Sequence, residues 1–144
     1  MKRKRRTRPC RAEETPELTM TVETREFLHE GMVVLTAEYG VPSAGGLAPP
    51  VTARLNRYCG ALVRECARYA EKTLYPLAAR THAAALEEGR LLPPFRLCLR
   101  CAADPPDREK SLTLRTELTE QLHGETVTLR REDTFSLRDG WPLL

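Results

Sequence analysis

Cys98-Leu-Arg-Cys101 is the one pair of soft ligands at metal-binding spacing in this chain, half of a zinc knuckle in which two thiolates take two of four tetrahedral positions. Completing such a site needs two more ligands, and no second CxxC and no HxxxH is present, so Cys59, Cys66, His82 or His123 would have to be recruited from afar. Leu99 and Arg100 are not turn formers, and on a strand residues 98 and 101 would face opposite ways. The reading is two ordinary strand cysteines, with no metal and no cofactor; a small zinc-stabilised module is the alternative. His29, His82 and His123 are dispersed, and no window resembles a nucleophile elbow or a triad. The carboxylate pairs Glu13-Glu14, Glu87-Glu88 and Glu132-Asp133 are sequence neighbours, whose side chains diverge rather than converge on a substrate. No P-loop, GxGxxG, EF-hand or HExxH pattern occurs. The expectation is a protein that is not an enzyme.

Charge is more informative. Seven of the first eleven residues are basic (Lys2, Arg3, Lys4, Arg5, Arg6, Arg8 and Arg11) and none is acidic. The remaining residues hold 16 Lys+Arg against 20 Asp+Glu, so the positive balance belongs to the tail and the rest is mildly acidic. Such a tract is suited to an import receptor or to phosphate contact, which predicts a nuclear location. A second basic feature is Arg54, Arg57, Arg64, Arg68 and Lys72, which cluster within roughly 80° of a helix at ~100° per residue. Five like charges with no opposite charge four residues away in the row forgo the usual stabilising pairs. An acidic surface opposite them would explain that, either Glu23, Glu26 and Glu30 within the chain or a nucleic-acid backbone. No aromatic residues interleave with the row to stack bases, which argues against single-strand recognition.

The elements that must position these groups follow from size and periodicity. At 144 residues the chain suffices for one domain that buries roughly 65–70% of its unfolded surface. No apolar run approaches the ~20 residues that span a bilayer, and basic residues running into Pro9, Glu13 and Glu14 lack the apolar stretch of a secretory signal. Five cysteines without such a signal predict reduced thiols and a soluble intracellular protein. Residues 1–17 are expected to be a disordered basic tail, with a single domain over 18–144.

Leu28, Met32, Leu35 and Tyr39 recur at helical spacing and predict a helix from Glu23 to Tyr39, ended by Gly40 and Pro42. Val51, Leu55, Tyr58, Cys59, Leu62, Cys66, Tyr69 and Ala70 share an arc of about 120°, predicting a long helix from Val51 to about Thr73. Pro76 kinks or restarts the chain, and Leu77 to Glu88 is helical by propensity, closing at Gly89. After Pro93-Pro94 the period changes to two: Phe95, Leu97 and Leu99, then Leu112 and Leu114, then Val127 and Leu129, predict antiparallel strands. Residues 111–122 fit strand or helix, with strand preferred for the first half and a short helix or turn for the second.

The expected fold is therefore α+β: a helical N-terminal half of three helices (18–92), then a small antiparallel β portion (93–144). Residues 23–89, with a helix, a loop, a long central helix ALVRECARYAEKT and a short third helix behind a basic tail, resemble the histone fold. The stretch ETVTLRRED followed by FSLRDG is similar to that family's strand and last helix, although both likenesses cannot hold at once. The resemblance implies obligate pairing with a second such chain in a DNA-associated assembly. The expected function is a non-enzymatic nuclear subunit that pairs with another protein, forming a hetero-oligomer in a DNA- or chromatin-associated complex. Direct, sequence-nonspecific DNA or RNA binding through the tail and the Arg54–Lys72 row is the alternative.

Overall fold

The computed structural model describes residues 17–45, 47–104 and 110–143. Two strands come first, β1 (Glu17–His29) and β2 (Met32–Gly45). A helical segment follows, made of α1 (Pro49–Tyr69), a π-helical turn (Ala70–Leu74) and α2 (Tyr75–Glu87). Four strands complete the chain: β3 (Phe95–Ala103), β4 (Ser111–Leu122), β5 (Glu125–Ser136) and β6 (Pro142–Leu143). All six strands form one sheet in the order β1-β2-β3-β4-β5-β6, curled around the helical segment. Every neighbouring pair is antiparallel except β2–β3, which is parallel and spanned by the helical crossover.

This overturns the histone-fold resemblance and the helical N-terminal half. Residues Glu23 to Tyr39 are not a helix but most of a hairpin. Glu30 and Gly31 both take positive φ, 52° and 80°, which makes the two-residue turn that suits the twist of flanking strands. Thr21, Val22, Thr24, Val33, Val34 and Thr36 are β-branched and fit a pleated surface better than a helix. The 4-3-4 spacing of Leu28, Met32, Leu35 and Tyr39 is coincidental: Leu28 lies on β1 and Met32 on β2, while Leu35 and Tyr39 share the inner face of β2 because an interval of four is also even. The register shifts between Phe27 and Leu28, so that Leu28 meets Val33 while Phe27 meets Leu35. Val34 is the extra residue of this bulge, and consecutive Val34 and Leu35 are both fully buried.

The helical segment has Pro49 and Pro50 in its first turn, where a missing N–H costs nothing. Its two parts, foreseen as Val51 to about Thr73 and Leu77 to Glu88, are one helix interrupted by the π turn. At that turn the Tyr75 N–H donates to the Ala70 carbonyl five residues back. Pro76 follows at once and has no N–H for the ladder, so the widened turn lets the helix continue across it.

The core lies between the helical segment and the inner sheet face. One cluster joins Leu35, Ala37 and Tyr39 of β2 and Phe95, Leu97 and Leu99 of β3 to Cys66, Ala70, Leu74 and Ala78. The other joins Val51, Leu55 and Cys59 of α1 to Cys101, Leu112, Leu114 and Phe135. His82 is buried at 2% exposure, its Nδ1 2.8 Å from the Ala78 carbonyl and its Nε2 3.0 Å from that of Pro93, tying α2 to the segment before β3. The outer face is polar. Thr113 meets Thr134, Arg115 meets Glu132, Glu117 meets Arg130 and Thr119 meets Thr128 across β4 and β5.

Candidate interaction groove

The inner face of the β4–β5 ribbon is only partly covered by the helix. Inward residues pair as Leu112–Phe135, Leu114–Asp133, Thr116–Arg131, Leu118–Leu129 and Glu120–Val127. The first two positions of β4 and Phe135 are sealed by α1, whereas Val127 is 54% and Leu129 62% exposed. Between α1 and this uncovered stretch lies an open groove of about 340 Å³, lined by Leu62, Cys66 and Tyr69 of α1 and by Leu99, Leu118 and Leu129 of the sheet.

Polar groups sit on both sides of that apolar lining. The Tyr58 hydroxyl donates to Asp133, and Arg131 donates through Nε to Asp133 (2.6 Å) and through a terminal nitrogen to the Tyr58 oxygen (3.0 Å). Burial works to raise the Asp133 carboxyl, but the bonds from Tyr58 and Arg131 outweigh it and hold the group below its ordinary range. Farther along, the Tyr69 hydroxyl donates to Glu120 at 2.6 Å. Burial, reinforced by that carboxylate, pushes the Tyr69 phenol up to about 12, so it remains a donor at any physiological pH. The arrangement brings together an apolar trough, a fixed carboxylate–arginine pair and a second carboxylate.

The residues singled out by sequence fall elsewhere. Arg54 stacks on Trp141, with its guanidinium carbon 4.1 Å from the ring centre, and donates to the Asp139 carbonyl at 2.7 Å, so it anchors the C-terminal turn. Arg57, Arg64 and Arg68 on α1 and Lys72 in the π-helical turn are exposed and make no ion pair among the described residues. The acidic partner expected within the chain is not there: Glu23 and Glu26 lie on β1 and Glu30 in its turn, not on a facing helix. Lys2, Arg3, Lys4, Arg5, Arg6, Arg8 and Arg11 lie outside the described residues.

On β3, Cys98 lies on the outer face beside Glu38 (3.5 Å) and Arg100 (3.4 Å), while Cys101 is fully buried on the inner face. The buried Cys59 thiol is pushed up by its hydrogen bond with Cys101 and by burial. Among the described residues no three His, Cys, Asp or Glu side chains are placed to share a metal ion. No described helix is long and apolar enough to cross a membrane.

Sequence reasoning identified the alternation in ETVTLRRED but not the groove, which is built by Tyr58, Tyr69, Leu118, Glu120, Leu129, Arg131 and Asp133. The available signal was that Val127 and Leu129 alternate with threonines in a segment with no Pro, Gly or Lys.

No family model and no curated protein matches the chain. Among solved structures, the chain is similar to a member of the DUF3298 family from Bacteroides fragilis, at 13% identity and a TM-score of 0.54. The match covers 89% of this chain and 58% of that one, so the chain spans a little over half the length of its structural neighbour. The likeness is one of fold.

Proposed function

We propose that this chain is a non-enzymatic interaction module that binds an extended segment of another polypeptide along the free edge of β5 and over the adjoining groove. The observation that carries the reading is the pair Val127 and Leu129, more than half exposed beside a strand edge that β6 covers only at Thr134 and Phe135. A segment added there gains backbone hydrogen bonds from the edge and places alternate side chains against Val127, Leu129 and the groove. The dispersal of the histidines supports a binding role over catalysis: His82 is buried in the helix–sheet seam, while His29 and His123 lie at the turns of two different hairpins, β1–β2 and β4–β5.

Selecting peptides from a random display library against the full chain tests this. Binders are expected to alternate apolar and polar residues, to protect the amides of Thr126, Thr128 and Arg130 from exchange, and to be lost with Leu129→Lys. Binders that protect other amides and ignore Leu129→Lys would overturn it.

A second reading rests on Arg57, Arg64 and Arg68 of α1 and Lys72 of the π-helical turn, exposed and without an ion pair among the described residues. With the Lys2–Arg11 tract they would hold a phosphate backbone, and affinity for duplex DNA should fall steeply with salt. Charge reversal at Arg57 and Arg64 that leaves retention on a DNA column unchanged removes the row from this reading. The same tract supports nuclear delivery, which a fluorescent fusion with and without residues 2–11 reads directly.

A further inference from the structure

We infer that one occupant of the β5 edge is a second copy of this chain, paired antiparallel, strand β5 to strand β5, about a two-fold axis at Thr128. This deepens the proposed function and rests on its placing of the binding edge at β5.

The direction of the free backbone groups follows from the hairpin. Leu122 and Glu125 close the two-residue turn His123-Gly124, where Gly124 has φ +78°. The closing pair of such a turn exchanges both hydrogen bonds, so odd-numbered residues of β5 bond to β4 and even-numbered ones point outward. The observed bond from the Ser136 N–H to the Trp141 carbonyl on the β6 side, at 2.9 Å, agrees with this parity. Thr126, Thr128, Arg130 and Glu132 therefore present their N–H and C=O groups along an edge with no partner among the described residues.

The side chains choose the register. Centred on Thr128, the two strands set Val127 against the other copy's Leu129, Glu125 against Arg131, His123 against Asp133, and Thr126 against Arg130. That gives two apolar pairs and two Glu–Arg pairs on the inner face, which are the cross-strand contacts that stabilise an antiparallel ribbon. The alternatives that keep the same hydrogen-bond direction are worse. Centring on residue 129 places Glu125 against Asp133. Centring on residue 130 places Arg130 against itself and Val127 against Asp133. Centring on residue 127 sets Leu129 against Glu125 and His123 against Arg131. Of these four registers, the one at Thr128 alone sets opposite charges together and apolar side chains together. The residues from 126 to 130 alone would exchange about six backbone hydrogen bonds. Val127 and Leu129 of both copies would then form one apolar strip continuous with the two grooves.

Two features make the opposite edge a poorer candidate. The β1–β2 pairing contains the bulge between Phe27 and Leu28, which twists a strand away from further pairing. The inward residues of β1 beyond Phe27 are Arg25, Glu23 and Thr21, all exposed and polar, and its exposed apolar residues Met20 and Val22 face the outer side, away from the groove.

The test uses the full chain. Sedimentation over micromolar to submillimolar concentrations should show mass rising from 16.3 kDa toward twice that value. Thr128→Pro removes an outward N–H that β4 does not use and should shift the midpoint at least tenfold to higher concentration. Because that variant could disturb the strand itself, a second measurement fixes the register. Val127→Cys and Leu129→Cys chains, mixed and exposed to a mild thiol oxidant, should cross-link as the mixed pair at least tenfold more than either does alone, with the parent chain as background. A species of 16.3 kDa throughout, or cross-linking equal in mixed and unmixed samples, overturns self-pairing. In that case, library peptides that still protect Thr126, Thr128 and Arg130 leave the edge-binding function standing, while their absence removes both.

Discussion

The two halves of the β4–β5 ribbon share strands, hydrogen-bond pattern and alternation, yet they have opposite fates. From Leu112 to Thr116 the inward side chains lie under α1, and Leu112, Leu114 and Phe135 are at most 3% exposed. From Leu118 onward the helix still reaches β4, where Leu118 and Leu122 pack against the core and Tyr69 bonds Glu120, but it does not reach β5, leaving Val127 and Leu129 in the open. What differs is the roof, not the strand. The Tyr58–Asp133–Arg131 group stands at the boundary, with polar side chains that tolerate contact with water on one side and the core on the other. An apolar pattern thus builds core where a second layer covers it and leaves an exposed apolar patch where none does.

The largest expected effect comes from breaking the covered half. Leu114→Ala or Phe135→Ala should cost about 3–5 kcal/mol in denaturant unfolding, through lost burial and the cavity left behind. Leu129→Ala in the uncovered half should stay within about 0.5 kcal/mol while weakening peptide binding and self-association. Equal destabilisation at both positions would mean that the two halves are not different.

The covered half also depends on how the chain end folds back over α1. Gly140 has φ +81°, and a Cβ there would lie 3.0 Å from the Val51 Cα, against backbone that cannot swing aside. Gly140→Ala should cost about 1–3 kcal/mol and loosen the Arg54–Trp141 stack, read as a change in tryptophan fluorescence.

At the boundary, the effect is smaller and depends on pH. Asp133 is held below its ordinary value of 3.8 in the folded chain, so its contribution is fully present above that value. It is lost as pH falls through the lowered folded value. Asp133→Asn should cost about 1 kcal/mol at pH 7 and progressively less below pH 3.8, as unfolding midpoints of the two proteins converge. A constant difference across that window would remove the carboxylate from the account.

The smallest effect lies deep under the helix. The Tyr39 hydroxyl is buried with no hydrogen-bond partner among the described residues, and burial pushes the phenol's titration upward. Tyr39→Phe deletes an unpaired polar group at nearly constant volume and should leave stability unchanged or raise it by up to about 1 kcal/mol. A clear loss would show that the hydroxyl contributes a bond in solution.

How much of this was legible differs by element. The stripe from Val51 to Ala70 is long and periodic, and it is the helix that the sheet wraps. The alternation of Phe95, Leu97 and Leu99 likewise marked β3. The hairpin of β1 and β2 was misread because four large residues happened to fall at helical intervals, outvoting Gly31 in the middle of the supposed helix and a crowd of β-branched neighbours. Residues 111–122 carried both periods, and Leu114, Leu118 and Leu122 resolved as every second inward position of β4. Of the site, Arg54 and its row were visible as a charge pattern, but only packing showed that Arg54 is engaged at the C-terminal turn while Arg57, Arg64, Arg68 and Lys72 have no ion pair among the described residues. Glu120, Asp133 and Tyr69 carried no motif, because their roles depend on partners more than 50 residues away in the chain.

By itself the sequence determined local matters: where the long helix runs, where period-two segments lie, which termini and turns carry charge. Those depend on residues within a few positions of one another. Tertiary structure alone decided that the first 29 described residues pair as strands beside β3, which inward leucines lie under the helix, and which edge is left bare. These are outcomes of long-range pairing and coverage, and alternation along a strand reads the same whether or not another layer closes over it.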